Sequence, residues 1–192
     1  MPGTGGELAQ HLIERFELTG VKVREGGENE NHYSPAEKEV VLSPLVYSKK
    51  SLTAVSIAAH EVGHAIQFYN QEPVSQLRSK YFNKAIFVKR VGGFVIALVP
   101  FVGFLLKSPQ AILAVALIGF ITVLSSVSMY AAILPEEYDA SFKKALPILS
   151  EGYIPESELP KARAILKAAA YTYVAAALAD TIRLWRWFRV LR

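Results

Sequence analysis

The sequence predicts a mainly α-helical, membrane-embedded protein with a small β-sheet and a transmembrane helical hairpin. Apolar residues recur at helical spacing along much of the chain. Two short segments before position 43 have the composition of strands. Between positions 91 and 133 the only charged residue is Lys107, which indicates lipid contact rather than an ordinary core. We expect one domain over residues 1–192: a head at 1–77, a hairpin at 85–134, and a polar segment with a C-terminal helix at 135–192.

Composition excludes several classes of protein. The 192 residues carry a formal net charge of +4 and include no cysteine. Disulfides are therefore excluded, and a transition metal would have to be held by histidines and carboxylates. The basic residues flank the apolar segments and do not form a stripe with exposed aromatics, so we expect no nucleic-acid partner. Residues 1–6 lack the basic start and apolar run of a secretory signal, so we expect internal segments to direct the chain to the membrane.

The head is expected to contain a helix and a small sheet. Residues 7–18 carry apolar side chains at helical spacing, and Gly20 ends that helix. Residues 21–23 alternate as a short strand does, and residues 39–42 form a second strand. We interpret the residues between them, including 32–38, as turns.

A second helix in the head begins at Ser51 or Thr53, either of which can cap it, and runs to about position 69. It is apolar on most of its sides, which is typical of a buried helix. It also contains two histidines and a glutamate. Leaving such groups buried and unpaired costs several kcal/mol, so we expect them to have partners, and a bound metal would serve.

Those two histidines, His60 and His64, are four residues apart and project from one helix face, where both can ligate one metal. Glu61 lies beside the first ligand, where it can take a proton from a zinc-bound water whose pKa the metal lowers to about 7. Gly63 allows another backbone to approach the helix closely. The alternative is a chance match to this motif in an ordinary core helix.

Zinc needs a third protein ligand and an open coordination position. His11 and His32 are the other histidines, and Glu136 and Glu137 offer carboxylates directly after the second apolar run. Two membrane crossings between His64 and these glutamates would return the chain to the membrane face that it left. A hairpin therefore favours a glutamate as the third ligand. The alternative is that both glutamates only mark the solvated end of a span.

The predicted hairpin consists of two apolar runs, 91–106 and 111–134, joined by a turn at 107–110. The second run is long enough to cross a bilayer, which takes about 20 residues. The first is shorter and would need tilt, local thinning or snorkelling of Lys89 and Lys107. The alternative is a buried hairpin in a soluble protein. Basic residues precede the first run: Arg78, Lys80, Lys84, Lys89 and Arg90.

The C-terminal helix is expected to open at 157–160 and to continue through 168–179. Lys167 and Asp180 interrupt it, so whether it spans the membrane stays open. Its end mixes tryptophan with arginine, which suits the lipid headgroup layer. By the positive-inside rule, the basic flanks of the hairpin orient the metal motif toward the cytoplasmic face of the cell membrane. The C-terminal residues concerned are Arg183, Trp185, Arg186, Trp187, Phe188, Arg189 and Arg192.

Five segments of the sequence resemble the membrane neutral zinc metallopeptidases of the YugP-like family. They occur in the family's order and extend over nearly the whole chain, which is far more specific than the histidine motif alone. The segments are HYSP at 32–35, VLSP at 41–44, SIAAHEVGHAIQ at 56–67, LPEEYDAS at 134–141 and TYVAAAL at 172–178.

The resemblance implies a gluzincin-like core, in which a small sheet lies beside the active-site helix. It implies one Zn²⁺ per chain, held by His60, His64 and Glu137, with Glu61 as the general base. Members of that family begin with an apolar segment, and this sequence begins where that segment ends.

One departure concerns support of the ligands. Related gluzincins carry an aspartate four residues after the glutamate ligand, where it supports a zinc histidine. That position is Ser141 here, while Asp139 is offset by two residues from Glu137 and would point away from it on a helix. Metal-bound histidines normally have such a partner, so its identity stays open.

Together, motif and resemblance predict a zinc-dependent membrane endopeptidase that hydrolyses peptide bonds through a metal-activated water. Its expected partners are a peptide or protein substrate and the lipid bilayer, and no oligomeric state is predicted. The strand at 40–42 could pair with an extended substrate. The alternative function is a metal-binding membrane scaffold without peptidase activity. Candidates for stabilising the oxyanion or supporting the ligands are His32, Tyr138, Asp139, Tyr153, Tyr171 and Tyr173.

Overall fold

The computed structural model describes Met1 and residues 3–190, except for the side chains of Asp180, Thr181 and 183–190. The predicted headgroup side chains from Arg183 to Arg192 therefore lie outside the described residues. The prediction of a mainly helical chain with a small sheet is confirmed. The chain divides into two compact units. We call them the head unit, Met1–Gln76 with Pro135–Tyr171, and the hairpin unit, Leu77–Leu134 with Thr172–Arg192.

The regular elements are strands and helices in the head unit, and helices alone in the described part of the hairpin unit. In chain order they are α1 (Gly5–Arg15), β1 (Lys22–Glu25), β2 (His32–Ser34), β3 (Glu39–Leu42), α2 (Pro44–Tyr47), α3 (Leu52–Tyr69), α4 (Leu77–Ala97), α5 (Val99–Leu106), α6 (Pro109–Ala131), α7 (Leu134–Tyr138), a π-helical turn (Asp139–Ala145), α8 (Leu146–Ile148), a second π-helical turn (Leu149–Tyr153) and α9 (Leu159–Val190).

Both long head helices start at a side-chain cap. The Thr4 hydroxyl accepts a hydrogen bond from the Glu7 backbone N–H at 3.1 Å, and the Glu7 carboxylate accepts one from the Thr4 N–H at 2.7 Å. This reciprocal capping box starts α1 earlier than the periodicity predicts. Ser51, one of the two expected caps, accepts from the Ala54 N–H and starts α3.

The sheet has three strands in the order β1-β3-β2, with β1 parallel and β2 antiparallel to β3. The interpretation of residues 32–38 as turns is therefore wrong for β2. Tyr33 lies opposite Val40, and its buried ring packs against Phe68 of α3 at a centroid distance of 5.6 Å. That burial stabilises a strand too short for its sequence pattern to be recognised.

The position of β3 also overturns the expectation that residues 40–42 bind an extended substrate. A strand can accept a further strand only along an unpaired edge. Since β3 lies between β1 and β2, both of its edges are already hydrogen-bonded.

The core of the head unit forms around α3. Contacts to it come from α1, the sheet, and the chain from the first π-helical turn onward. Leucines from four separate stretches are fully buried there: Leu12, Leu42, Leu149 and Leu166. Burying a leucine side chain contributes about 1.5–3 kcal/mol, so this core holds α3 rigidly.

In the hairpin unit, α4 runs antiparallel to α6, since Gly92 meets Val123 whereas Ile96, further along α4, meets Gly119, earlier in α6. A Cβ on Gly92 would lie 2.7 Å from Val123 Cγ2, so only glycine allows this approach. The helix pair continues through α5, which carries Pro100 in its first turn, where a proline is tolerated. The basic residues 78–90 lie within α4, not ahead of the hairpin helix as expected.

The outer surface of the hairpin is apolar. Two helical stretches, Pro73–Leu106 and Pro109–Tyr153, are long and apolar enough to cross a membrane, and only 17% of the most apolar window in each is buried. Large exposed patches of this kind mark contact with lipid or with another protein. The exposed side chains include Phe87, Phe94, Phe101, Phe104, Leu113, Leu117, Ile118, Ile121 and Leu124.

Candidate metal centre

Two imidazoles of α3 converge on a single point. His60 and His64 are only 5% and 2% exposed, and their rings meet edge to face. Their Nε2 atoms lie 3.2 Å apart. Helical geometry accounts for the shared face, because residues four apart are neighbours on the helix surface.

A carboxylate from α7 completes the group. Glu137 Oε2 lies 3.3 Å from His60 Nε2 and 3.4 Å from His64 Nε2. The neighbouring Glu136 is also buried, but its Oε1 lies 3.9 Å from Nδ1 of His64, on the other side of that ring. His60, His64 and Glu137 therefore form a group that could hold a metal ion.

The other histidines lie elsewhere in the head unit. His11 Nε2 is 2.7 Å from the Tyr153 hydroxyl, which joins α1 to the second π-helical turn. His32 lies on the edge strand β2. Of the four possible third ligands that the sequence leaves open, Glu137 is the residue beside the paired Nε2 atoms.

The donor atoms fit zinc. A tetrahedral zinc ion with bonds of about 2.0–2.2 Å holds its ligand atoms about 3.3–3.6 Å apart. The three observed separations, 3.2, 3.3 and 3.4 Å, match that triangle. Among the described residues, Glu137 Oε1 has no hydrogen-bond partner although it is buried. A cation between the rings would compensate both the facing nitrogen lone pairs and this buried carboxylate.

A close backbone contact lets Glu137 reach the histidines. A Cβ built on Gly63 would lie 2.8 Å from the carbonyl oxygen of Ala140, in the first π-helical turn. Any side chain at position 63 would therefore push this turn, and Glu137 just before it, away from α3. The expectation that Gly63 permits close approach of another backbone thus agrees with the geometry.

The remaining nitrogen of each imidazole also has a partner. His60 Nδ1 lies 3.0 Å from Ser141 Oγ, which itself donates to the Leu166 carbonyl at 3.2 Å. His64 Nδ1 lies 3.0 Å from Gln67 Oε1. Sequence reasoning missed both partners. The sequence does contain a signal for each partner. Gln67 lies three residues after His64, and Ser141 stands where related gluzincins carry an aspartate.

Electrostatics favour a positive charge in this group. Burial lowers the pKa of His64, but the charge and hydrogen bond of Glu137, helped by Glu61 and Glu136, raise it to about 9. Burial raises the pKa of Glu137, but the His64 charge and the hydrogen bonds from both imidazoles hold it well below its usual range. The carboxylate is therefore ionised, and a cation can replace the proton that the imidazoles would otherwise hold.

Glu61 lies next to this group on α3. It is 6% exposed, and among the described residues its Oε2 atom has no hydrogen-bond partner. Its negative charge is one of the causes that raise the pKa of His64. A buried carboxylate oxygen without a partner is available to a ligand in the site.

Other predicted site residues have different surroundings. Tyr138 is 48% exposed, and its ring packs on Phe142 at a centroid distance of 4.8 Å. Tyr173 belongs to the hairpin unit, where its ring meets Phe82 at 5.3 Å. Asp139 is buried and does lie near the ligands, because it accepts a hydrogen bond from the Gln67 amide at 2.8 Å.

Similarity to known proteins agrees with this centre. Residues 1–192 match a family described as putative neutral zinc metallopeptidases. The chain is 34% identical over 188 residues to a Bacillus subtilis (strain 168) protein named putative membrane protease YugP, covering 97% of this chain and 80% of that relative. No solved structure matches the chain significantly. Since the family match extends over the full length, the chain belongs to the putative neutral zinc metallopeptidase family.

Proposed function

We propose that this protein is a zinc-dependent membrane endopeptidase with a gluzincin-type site. The observation that carries the proposal is the triangle of donor atoms, with edges of 3.2–3.4 Å, formed by His60, His64 and Glu137. These three residues would hold one zinc ion per chain. When bound, zinc supplies a Lewis acid that polarises the scissile carbonyl and acidifies water.

Glu61 is assigned the role of general base. Its carboxylate lies one residue from the first ligand, is buried, and among the described residues has an oxygen without a partner. It takes a proton from the attacking water and returns it to the leaving amine. The peptide bond is broken, and one water is consumed for each bond cleaved.

An oxyanion donor beside the ligands is also required. Tyr138 follows Glu137 directly and is 48% exposed, so a substrate at the surface could contact its side chain. It is our first candidate, ahead of His32 on β2 and Tyr173 on α9.

The hairpin unit is assigned to the lipid bilayer of the cell membrane. Its apolar outer surface and the name of its Bacillus relative support this assignment. The basic residues of α4, against Lys107 alone in the hairpin turn, favour a cytoplasmic active site.

The hydrolysis test uses the full chain in detergent micelles, with zinc content and cleavage of end-blocked peptides measured together. We expect zinc in a one-to-one ratio and internal cleavage by the wild type. Glu61→Gln should lose about 10²- to 10⁴-fold in rate and keep its zinc, because it removes a proton acceptor and no ligand. Glu137→Gln should lose zinc. Glu28→Gln, on the exposed turn between β1 and β2, is the control and should change neither quantity.

Two outcomes would contradict the proposal. Zinc bound without any peptide cleavage would favour a metal-binding membrane scaffold. Undiminished cleavage by Glu61→Gln would exclude this carboxylate as the base.

Orientation is tested separately by cysteine labelling, since the sequence contains no cysteine. A membrane-impermeant maleimide added to intact cells should label Ser108→Cys in the hairpin turn. It should leave Glu28→Cys in the head unlabelled until the cells are opened. The reverse pattern would place the active site outside.

A further inference from the structure

Gln67 lies at the centre of a buried polar network next to the metal centre. It is fully buried on α3, three residues after His64. Its Oε1 lies 3.0 Å from His64 Nδ1. Its Nε2 donates to the Glu136 carbonyl at 3.0 Å and to Asp139 Oδ2 at 2.8 Å. All three of these contacts lie within the head unit.

The two acceptors determine which way the amide points. A backbone carbonyl and an ionised carboxylate can only accept hydrogen bonds, so both must face the NH₂ group of Gln67. Its oxygen is then turned toward His64. An amide oxygen is also an acceptor only, which requires a proton on Nδ1 of His64. In the neutral imidazole, the form that binds a metal, the lone pair is then on Nε2.

We propose that Asp139, acting through the Gln67 amide, is a positioning residue that holds His64 in its metal-binding tautomer. This inference rests on the proposed function, because it assigns His64 as a zinc ligand. The hydrogen-bond chain runs from the carboxylate through the amide to the imidazole. Without it the amide is free to rotate, present NH₂ to Nδ1 and draw the imidazole proton to Nε2, where it blocks the metal.

A buried ion pair anchors Asp139. Lys144 is 12% exposed and donates both to Asp139 and, at 2.8 Å, to Glu72. Burial raises the pKa of Asp139, but the hydrogen bonds from Lys144 and Gln67 lower it overall. Charged hydrogen bonds are stronger than neutral ones, so the carboxylate stays aimed at Gln67.

The same dependence does not apply to His60. Its partner, Ser141, has a hydroxyl that rotates freely and can donate or accept. The Ser141 hydroxyl already donates to the Leu166 carbonyl, so it accepts from His60 without help from a carboxylate. Asp139 therefore positions His64 specifically.

The test measures zinc affinity of the full chain in detergent, by competition with a chelator of known affinity. Loss of a hydrogen-bond partner of a metal-bound histidine typically weakens metal binding about 10- to 100-fold, and we expect that range for Gln67→Met and for Asp139→Leu. Asp139→Asn keeps an acceptor oxygen for Gln67 and should bind zinc nearly as the wild type does. In Gln67→Met/Asp139→Leu the losses should not multiply, because both changes break one chain.

Control variants separate this effect from loss of charge or of folding. Glu158→Met removes a carboxylate that pairs with Lys161 at 2.9 Å in the same unit, and it should leave zinc affinity unchanged. If Asp139→Leu alone fails to fold, the double variant Asp139→Leu/Lys144→Met takes its place in the test, because it removes the buried cation together with its partner. The same loss of zinc affinity is expected.

The results distinguish two failures. The proposed function fails if the wild type does not bind zinc, or if His60→Ala does not abolish the zinc binding. This inference then fails with it. If zinc binds in that way but Asp139→Asn is as weak as Asp139→Leu, or the double variant shows multiplied losses, only the positioning role is overturned.

Discussion

The head unit and the hairpin unit distribute polarity in opposite ways. In the head, apolar side chains such as Leu12 and Leu166 are buried, and among the described residues the buried carboxylates lie at or beside the candidate metal centre. In the hairpin, small residues such as Gly92 and Gly119 lie between the helices, while large side chains such as Phe104 face outward. This difference supports the proposed function, in which the hairpin lies in lipid and the head in water.

Both units use glycine to bring two backbones together, and for different purposes. Gly92 and Gly119 allow α4 and α6 to pack closely, and small residues at helix contacts are typical of membrane helices, which have no hydrophobic driving force between them. Gly63 allows α3 to meet Ala140 and so brings a carboxylate to two imidazoles. The first contact supports a helix pair, and the second supports the chemistry of a site.

The largest effect is expected from a charge on the lipid-facing side of the hairpin. Ile121, in the middle of α6, is 60% exposed, and Ile121→Asp should disfavour membrane insertion by about 2.5–3.5 kcal/mol because the carboxylate would have to enter hydrocarbon. The fraction of protein recovered in carbonate-washed membranes measures this effect.

Leu45 of α2 in the head provides the matched control. It is 68% exposed, so Leu45→Asp adds the same charge at an equally open position, and it should leave recovery in membranes unchanged. If both variants were recovered equally in the washed membranes, the hairpin surface would be exposed to water, and the contrast between the surroundings of the two units would be wrong.

A smaller effect is expected at the backbone contact in the head. Gly63→Ala puts a methyl group 2.8 Å from the Ala140 carbonyl oxygen, and such overpacking costs about 1–3 kcal/mol of unfolding free energy. The shift should also move Glu137 and weaken zinc binding. Thermal unfolding in detergent and chelator competition measure the two effects.

Gly93 of α4 is the control for this substitution, because a Cβ there would meet nothing within 4 Å. Gly93→Ala should leave stability unchanged or raise it by up to about 1 kcal/mol through helix propensity. If Gly63→Ala were as well tolerated as Gly93→Ala, the close approach at Ala140 would not be needed to form the centre.

Local patterns predicted much of this protein. The helix with His60 and His64, its cap at Ser51 and the two apolar runs of the hairpin follow from periodicity and composition. These features depend on residues close together in sequence. The β2 strand could not be predicted in this way, because three residues are too few to show an alternating pattern. Tyr33 is buried by Phe68 of α3, which is distant in the chain.

The sequence alone determined which chemistry was available: two imidazoles on one helix face, carboxylates after an apolar run, and no thiolate. The family resemblance implied Glu137 as the third ligand, but the residues by themselves left the choice open. Only the tertiary structure places one carboxylate against the Nε2 atoms and decides which side chains orient the rings. Glu137, Asp139 and Ser141 reach α3 across 72 to 81 residues of chain, as in the contacts of Gln67 with Asp139 and of His60 with Ser141. Such contacts depend on which backbones cross. Gly63 marks where a second backbone can approach α3, but no local pattern encodes that this backbone is the one around Ala140.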